Sequence, residues 1–204
     1  ASSLTLVMQP SDVTNQQGLE FFGCVVTAFS ITAEGSADGG QYKWSATLQT
    51  GKKPDLASTA EPTITAYANT TIPLLSSSSG HKVFNVNVIL SSFTTSIESP
   101  AVFTGVASDG YQVVSRGAEI SVTADAQVKY DGNTKGFINS FDTQSSALSG
   151  NMLVITNNNA FGVAMPNGVL TNVALAEGDL MMLDCSIKAV DDGSTALVTF
   201  DVSA

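Results

Sequence analysis

Apolar and polar residues alternate along much of this chain, most regularly between Gly117 and Tyr130. Successive side chains of a β-strand point to opposite faces of the sheet, so an alternation of this length is typical of a strand. The polar positions are Glu119, Ser121, Thr123, Asp125, Gln127 and Lys129, and the positions between them are apolar. The pattern predicts one long strand with a solvated face and a buried face.

The same alternation recurs from Tyr42 to Leu48, where Trp44 falls on the apolar side and is predicted to pack in the core. Other β-rich runs are Leu4 to Met8, Cys24 to Thr32, Val83 to Phe93, Met152 to Thr156, Leu180 to Ala189 and Ala196 to Val202. Clusters of Asp, Asn and Gly at residues 38–40, 131–133 and 191–193 predict turns between strands. Short strands punctuated in this way favour an all-β fold, a mainly antiparallel sandwich or barrel.

One segment departs from the strand pattern. Its apolar residues recur at an approximate helical spacing, at Phe137, Ile138, Phe141 and Leu148. Asn133 or Thr134 is a candidate N-cap and Gly150 is a stop signal, so we expect one short helix around residues 135–149, packed on the sandwich. The Ser/Gly run at residues 76–80 predicts a flexible loop. A chain of 204 residues is predicted to form a single domain.

Composition narrows the classes of function. Only 13% of the residues are charged and the net charge is −10, so the chain lacks the basic surface that attracts nucleic-acid phosphates. No apolar run reaches the roughly 18 residues that a membrane-spanning helix needs. The first residues lack the layout of a signal peptide, which favours a cytosolic origin.

Residues that commonly carry catalysis are scarce. The only histidine, His81, follows the serine-rich loop and is predicted to be solvated rather than catalytic. Glu119 and Asp125 are six residues apart, roughly 20 Å along a strand, which is too far for paired acid–base catalysis. No glycine-rich phosphate motif is present. We therefore predict a protein that is not an enzyme and binds no cofactor or metal, with a calcium site at an Asp-rich turn as the alternative.

The two cysteines, Cys24 and Cys185, are far apart in the sequence and match no zinc or redox motif. Two buried, reduced thiols are the favoured interpretation, because unpaired cysteines are among the most buried residues. A disulfide between the first and last thirds of the chain is the alternative, and it would fit a secreted protein.

The order of these segments resembles that of the tail tube proteins of long-tailed bacteriophages, the siphophages. Gly23 to Thr32, a Gly-rich turn and Tyr42 to Gly51 look like the paired strands near the start of that family. The later segments that continue the resemblance are Val83 to Ser96, Gly117 to Ala124, Phe137 to Leu148, Gly150 to Ile155, Leu180 to Ala189 and Leu197 to Val202. The resemblance covers most of the chain and rests on strand order and spacing.

The resemblance implies a structural virion protein that forms stacked hexameric rings, in which strands of neighbouring subunits combine into a closed inner barrel for DNA passage. Its partners would be further copies of itself, other phage tail proteins and DNA in transit. Its location would be the phage tail, after assembly in the host cytoplasm. An acidic lumen would repel phosphate, so that DNA slides without adhering. The candidate lumen-facing residues are Glu119, Ser121, Thr123 and Asp125, whose alternative role is the solvent face of an ordinary sandwich.

Two other classes of protein remain open. One is another phage or surface β-sandwich, such as a capsid decoration protein, a pilin-like subunit or an adhesin. An oxidised link between Cys24 and Cys185 would favour the adhesin or pilin. The other is a carbohydrate-binding module or glycosidase that stacks sugars on aromatic rings, for which the candidates are Trp44, Tyr42, Tyr67 and Tyr111. For Trp44, core packing is favoured over sugar stacking.

Overall fold

A computed structural model of the chain describes residues 4–8, 18–35, 38–56, 74–75, 80–104, 112–116, 119–143, 152–155, 161–176 and 180–201. Tyr67, Tyr111 and residues 76–79 of the predicted serine-rich loop lie outside these ranges. The described part is mostly antiparallel β-structure with one short helix, so the all-β prediction is confirmed.

The helix, α1, spans Gly136–Thr143. The strands in chain order are β1 (Leu4–Met8), β2 (Leu19–Glu34), β3 (Lys43–Gln49), β4 (Asp55–Leu56), β5 (Lys82–Val83), β6 (Val86–Asn87), β7 (Leu90–Glu98), β8 (Ala101–Thr104), β9 (Gln112–Arg116), β10 (Ser121–Lys129), β11 (Leu153–Ile155), β12 (Gly162–Met165), β13 (Gly168–Ala176), β14 (Met182–Ala189) and β15 (Thr199–Asp201). β1 matches its predicted bounds, and the strands predicted from Cys24, Tyr42, Met152, Leu180 and Ala196 are present with shifted ends.

The strands of the described residues form three sheets. The largest has eight strands in the order β1-β2-β7-β10-β14-β13, with β3 and β4 also paired to β2. A second sheet has the order β15-β12-β11-β5-β6, and β8 pairs with β9 alone. β14 pairs antiparallel with both β10 and β13, which places three long strands side by side.

The chain divides into two compact units by its internal contacts. Unit 1 contains Ala1–Phe29, Ala46–Thr70 and Glu98–Ile120, and unit 2 contains Ser30–Ser45, Thr71–Ile97 and Ser121–Ala204. The prediction of a single domain stays a prediction.

Unit 1 is built around the first part of β2. β1 pairs antiparallel with it, from Leu4 opposite Cys24 to Met8 opposite Leu19. Cys24 and Val25 are buried there. The Thr50 hydroxyl donates a hydrogen bond to the carbonyl oxygen of Phe22 at 2.6 Å, which ties the residue after β3 to β2.

Unit 2 contains two sheets that each bury one face. On β10 the predicted apolar positions Val122, Ala124, Ala126 and Val128 are no more than 3% exposed. The second sheet contributes the buried residues Val83, Leu153, Ile155, Val163 and Met165. Tyr42 contacts Phe93 of β7 and Phe161 beside β12, with ring centroids 5.8 and 4.9 Å apart, so the two buried faces share one core. Burying each large apolar side chain stabilises the fold by about 1.5–3 kcal/mol.

The prediction of one continuous strand from Val83 to Phe93 is wrong. Val83 pairs with Val86, so Phe84 and Asn85 form the loop of a two-residue hairpin. Both loop residues have positive φ, 50° for Phe84 and 63° for Asn85, as a type I′ turn requires. The Phe84 ring packs edge-on against Phe137 of α1, with ring centroids 6.3 Å apart.

The predicted turns are present. At residues 38–40, Gly39 and Gly40 both have positive φ, and a Cβ on Gly40 would lie 3.2 Å from the Leu75 carbonyl oxygen. At residues 131–133, the carboxylate of Asp131 accepts hydrogen bonds from the amides of Asn133 and Thr134. These hydrogen bonds form the turn between the end of β10 at Lys129 and the start of α1 at Gly136. The helix begins at Gly136, one residue after the predicted start, and residues 144–150 lie outside the described part.

Candidate functional site

The exposed face of β10 and β14 carries most of the predicted lumen residues. Thr123 and Asp125 are exposed and Ser121 is half-buried, and all three lie on the polar side of β10. Asp125 is opposite Ser186 and Gln127 is opposite Asp184. Two cross-strand hydrogen bonds follow from this register: the Ser186 hydroxyl donates to Asp125 Oδ1 at 2.6 Å, and Gln127 Nε2 donates to Asp184 Oδ1 at 3.0 Å.

A shallow groove of about 290 Å³ runs over this polar face, between β7 and β14. Its polar lining residues are Ser92, Thr94, Asp125, Gln127, Asp184 and Ser186. The Thr94 hydroxyl continues the polar surface to Thr32 of β2, with 2.9 Å between the two hydroxyl oxygens. The groove therefore presents hydroxyl, amide and carboxylate groups, and the buried Cys185 also contributes to its lining.

The charge on this face is less acidic than the sequence suggested. Asp125 and Asp184 lie near its centre, but Lys188 is opposite Thr123 and Lys129 is opposite Met182. These two lysines are exposed on the same face and balance the two carboxylates. The net charge of −10 therefore comes from other parts of the chain.

Glu119 does not belong to the strand that carries the other lumen candidates. β10 begins at Ser121, and Glu119 and Ile120 are exposed residues that precede it. The buried position predicted for Ile120 is wrong, because half of this side chain is exposed. Alternation alone could not locate the start of the strand.

The prediction that Trp44 packs in the core is also wrong. Its side chain is 73% exposed, although it lies on β3 as expected. Tyr42, two residues earlier, instead packs against Phe93 and Phe161 in the core of unit 2. The Tyr42 hydroxyl is buried without a hydrogen-bond partner in the described part of the chain, and burial raises its pKa to about 12. Tyr42 is therefore a packing residue, whereas Trp44 presents its indole to solvent or to another molecule.

His81 is buried, contrary to the prediction of a solvated loop residue. It is 1% exposed, and its carbonyl oxygen accepts a hydrogen bond from Val88 at 3.0 Å. A buried imidazole gives a substrate no access, so His81 contributes to the core of the second sheet.

Both cysteines are free and buried, as the favoured interpretation predicted. Burial, and to a smaller extent the neighbouring carboxylate of Asp184, raises the pKa of the Cys185 thiol to about 12. Such a thiol is inert at neutral pH because the thiolate is the reactive form.

The Asp-rich turn at residues 191–193 is organised by hydrogen bonds. Asp192 accepts bonds from the Ser194 amide and from the hydroxyl and amide of Thr195, which hold the pKa of its carboxyl well below its usual range. Asn167 also donates to this carboxylate at 2.7 Å. Within the described ranges, no three His, Cys, Asp or Glu side chains are grouped to hold a metal ion.

The structure shows exposed apolar residues that sequence reasoning did not identify. On the edge strand β1, the exposed residues Leu4, Leu6 and Met8 alternate with Thr5 and Val7. In unit 2, the edge strand β13 exposes Leu175. Neither strand contains a charged residue or a proline. The sequence signal was available, since Leu4 to Met8 is apolar at four of five positions.

No protein-family model matches this chain, and no curated protein is similar to it. Among the described residues, no helix has the length and apolar character needed to cross a bilayer. The fold and its surfaces are therefore the physical basis for any proposal about function.

Proposed function

We propose that this chain is a structural virion protein, the major tail tube subunit of a long-tailed phage, which assembles into stacked hexameric rings around a channel for DNA. The observation that carries the proposal is the character of the two edge strands, β1 and β13. An edge strand presents unpaired backbone N–H and C=O groups, and monomeric proteins block such edges with charges, prolines or bulges.

These edges lack charges and prolines, although each has one shift of register, between Leu4 and Leu6 in β1 and between Leu170 and Asn172 in β13. β1 and β13 have no charged residue and no proline, and they expose apolar residues such as Leu6 and Leu175. α1 packs against β13, but Thr171, Asn172, Ala174 and Leu175 of that strand remain exposed. Edge pairing between subunits would satisfy the backbone groups and bury these side chains. A ring that closes in this way leaves no free edge.

The polar face of β10 and β14 supports a channel lining. The hydroxyl and amide groups of this face can bind water. The face has no strong attraction for phosphate, because Asp125 and Asp184 balance the charges of Lys129 and Lys188. A chain of net charge −10 repels DNA at longer range. Ser121, Thr123 and Asp125 remain the lumen candidates, and Glu119 precedes the strand that presents them.

The alternatives of a pilin-like subunit or an adhesin receive less support. Their discriminating feature was an oxidised link between Cys24 and Cys185, and both thiols are free. Reduced thiols suit a protein that is made and assembled in the cytoplasm.

The experiment that tests the proposal is negative-stain electron microscopy of the purified chain over a range of protein concentrations. We expect hollow six-fold rings or tubes of uniform width at high concentration. Isolated particles at every concentration, also after addition of preformed tail fragments as initiators, would contradict the tube.

A carbohydrate-binding module is the second candidate, and the exposure of Trp44 is the observation that favours it. A solvent-exposed indole can stack on a sugar ring, but tryptophan is also enriched at the centres of protein interfaces. Affinity electrophoresis in polysaccharide gels separates the two roles. Retardation of the wild-type chain that is lost in Trp44→Ala would favour the module, whereas loss of rings in the same variant would favour the subunit contact.

A further inference from the structure

A mainly apolar pocket of about 520 Å³ lies in unit 2, at the end of β10. We call it the Leu-Met pocket, and its apolar lining is Leu75, Ile89, Leu90, Leu180, Met181 and Met182. Leu180 and Met181 are 73% and 60% exposed, so the apolar surface continues from the pocket onto its rim. An exposed apolar patch of this kind marks a contact site, and methionine side chains adapt to the shape of a partner.

A positively charged side chain lines the Leu-Met pocket. Lys129, the last residue of β10, is the charged side chain among the described residues that line it. The backbone at this end is held by hydrogen bonds from Lys129 to Ile89 at 2.9 Å and from Tyr130 to Met181 at 2.9 Å. A complementary partner would place an apolar side chain in the pocket and a carboxylate beside Lys129.

The chain itself exposes such a pair of residues, just before β10 in the sequence. Glu119 and Ile120 are both exposed and directly precede β10. Ile120 is one of the large apolar residues that the structure shows exposed, and it directly follows the exposed carboxylate of Glu119. In the sequence the pair directly precedes Ser121, the first residue of β10, and Lys129 is the last residue of that strand.

We propose that Glu119 and Ile120 of one molecule bind the Leu-Met pocket of the next, with Ile120 in the apolar pocket and Glu119 paired with Lys129. The contact joins two different surfaces, so it is head-to-tail and repeats along a filament. In the proposed tail tube it would connect successive rings along the axis. The inference rests on the proposed function only in requiring that the chain forms such an assembly.

Charge exchange tests the contact. Lys129→Glu and Glu119→Lys are each expected to raise the protein concentration needed for tube formation about tenfold or more, because each leaves two like charges facing one another. The double variant restores the opposite charges in exchanged positions and is expected to assemble at close to the wild-type concentration. Sedimentation and negative-stain microscopy measure the assembly, and circular dichroism confirms that each variant is folded.

Matched controls separate this contact from general effects of charge. Lys135→Glu changes an exposed lysine outside the pocket and is expected to leave assembly unchanged. Ile120→Ser is expected to weaken stacking at every salt concentration, whereas Val102→Ser, at a residue of similar exposure, is not.

The outcomes distinguish this inference from the proposed function. Weakened single variants with a restored double variant support the pocket contact. Tubes that form equally well in every variant overturn the contact and leave the tube proposal intact. A wild-type chain that forms no assembly under any condition overturns both.

Discussion

Thr134 shows how a single residue stabilises this fold locally. It is fully buried, and its hydroxyl accepts a hydrogen bond from the Asp131 amide and donates one to the Lys129 carbonyl oxygen, at 2.9 and 2.8 Å. Its own carbonyl accepts from the Phe137 amide. The sequence predicted Asn133 or Thr134 as the N-cap of the helix. In the structure, Thr134 makes hydrogen bonds both to the end of β10 and to the first turn of α1.

At the residue scale, Cys185 provides a pH-dependent prediction. Its folded pKa, about 12, is above the ordinary value near 8.5, so its contribution to stability is complete below about pH 8.5 and is lost as the pH rises towards 12. At pH 8 only on the order of one Cys185 thiol in ten thousand is ionised in the folded state. We expect iodoacetamide to modify Cys185 in the native chain far more slowly than after unfolding in guanidinium chloride.

Mass spectrometry of time-resolved alkylation checks this expectation. The same peptide alkylated in denaturant is the control for reagent activity. Equal rates in the native and unfolded chains would contradict burial of the thiol.

At the element scale, strands that bury one face were predictable and the turns that interrupt apolar runs were not. β10 alternates as expected because Val122 to Val128 meet a core on one side and water on the other. In Val83 to Phe93, Asn85 and Asn87 alternate with Val86 and Val88 as they would in a strand, so the sequence did not reveal the left-handed turn at Phe84 and Asn85. β12 and β13 were not predicted from the sequence, and Gly168 at the start of β13 is required by close packing.

Gly168 is where β13 passes closest to β14. A Cβ there would lie 2.8 Å from the Lys188 carbonyl oxygen and 3.2 Å from Ile187 Cγ2. We expect Gly168→Ala to lower the free energy of unfolding by about 1–3 kcal/mol, because neither the backbone nor the buried Ile187 can move freely. Urea denaturation measures the change.

Gly132→Ala is the matched control for that substitution. A Cβ at Gly132 would meet no atom within 4 Å, so the same chemical change is expected to be close to neutral. Equal losses of stability in the two variants would indicate a general effect of removing glycine rather than the close approach of β13 to Lys188.

At the scale of the whole molecule, the distribution of charge matters more than its total. The chain has a net charge of −10, yet the face of β10 and β14 balances Asp125 and Asp184 with two lysines. The two uncharged sheet edges and the exposed apolar side chains are located elsewhere on the chain. In the proposed tail tube, the uncharged edges would pair with further copies of the chain and the polar face would line the channel.

Reversing the two central carboxylates tests the channel face. In Asp125→Lys with Asp184→Lys the face would carry four lysines, so assembled tubes are expected to retain double-stranded DNA in low salt and release it as salt rises. Co-sedimentation of DNA with the tubes measures retention, and wild-type tubes are expected to retain little.

Asp55→Lys with Asp201→Lys is the control, because it makes the same change in net charge at exposed positions outside the polar face. Equal DNA retention by the two double variants would contradict the channel role of the β10 and β14 face.

The sequence by itself determined the all-β class, the buried face of β10, the positions of the Asp- and Gly-rich turns and the two buried thiols. Each of these follows from local chemistry: a period of two, backbone conformations that glycine and aspartate favour, and the low polarity of cysteine. Only the tertiary structure decided that His81 is buried, that Trp44 and Ile120 are exposed, and that two lysines balance the carboxylates of the polar face. These features depend on which residues meet across strands distant in sequence, and alternation along one strand carries no information about its partners.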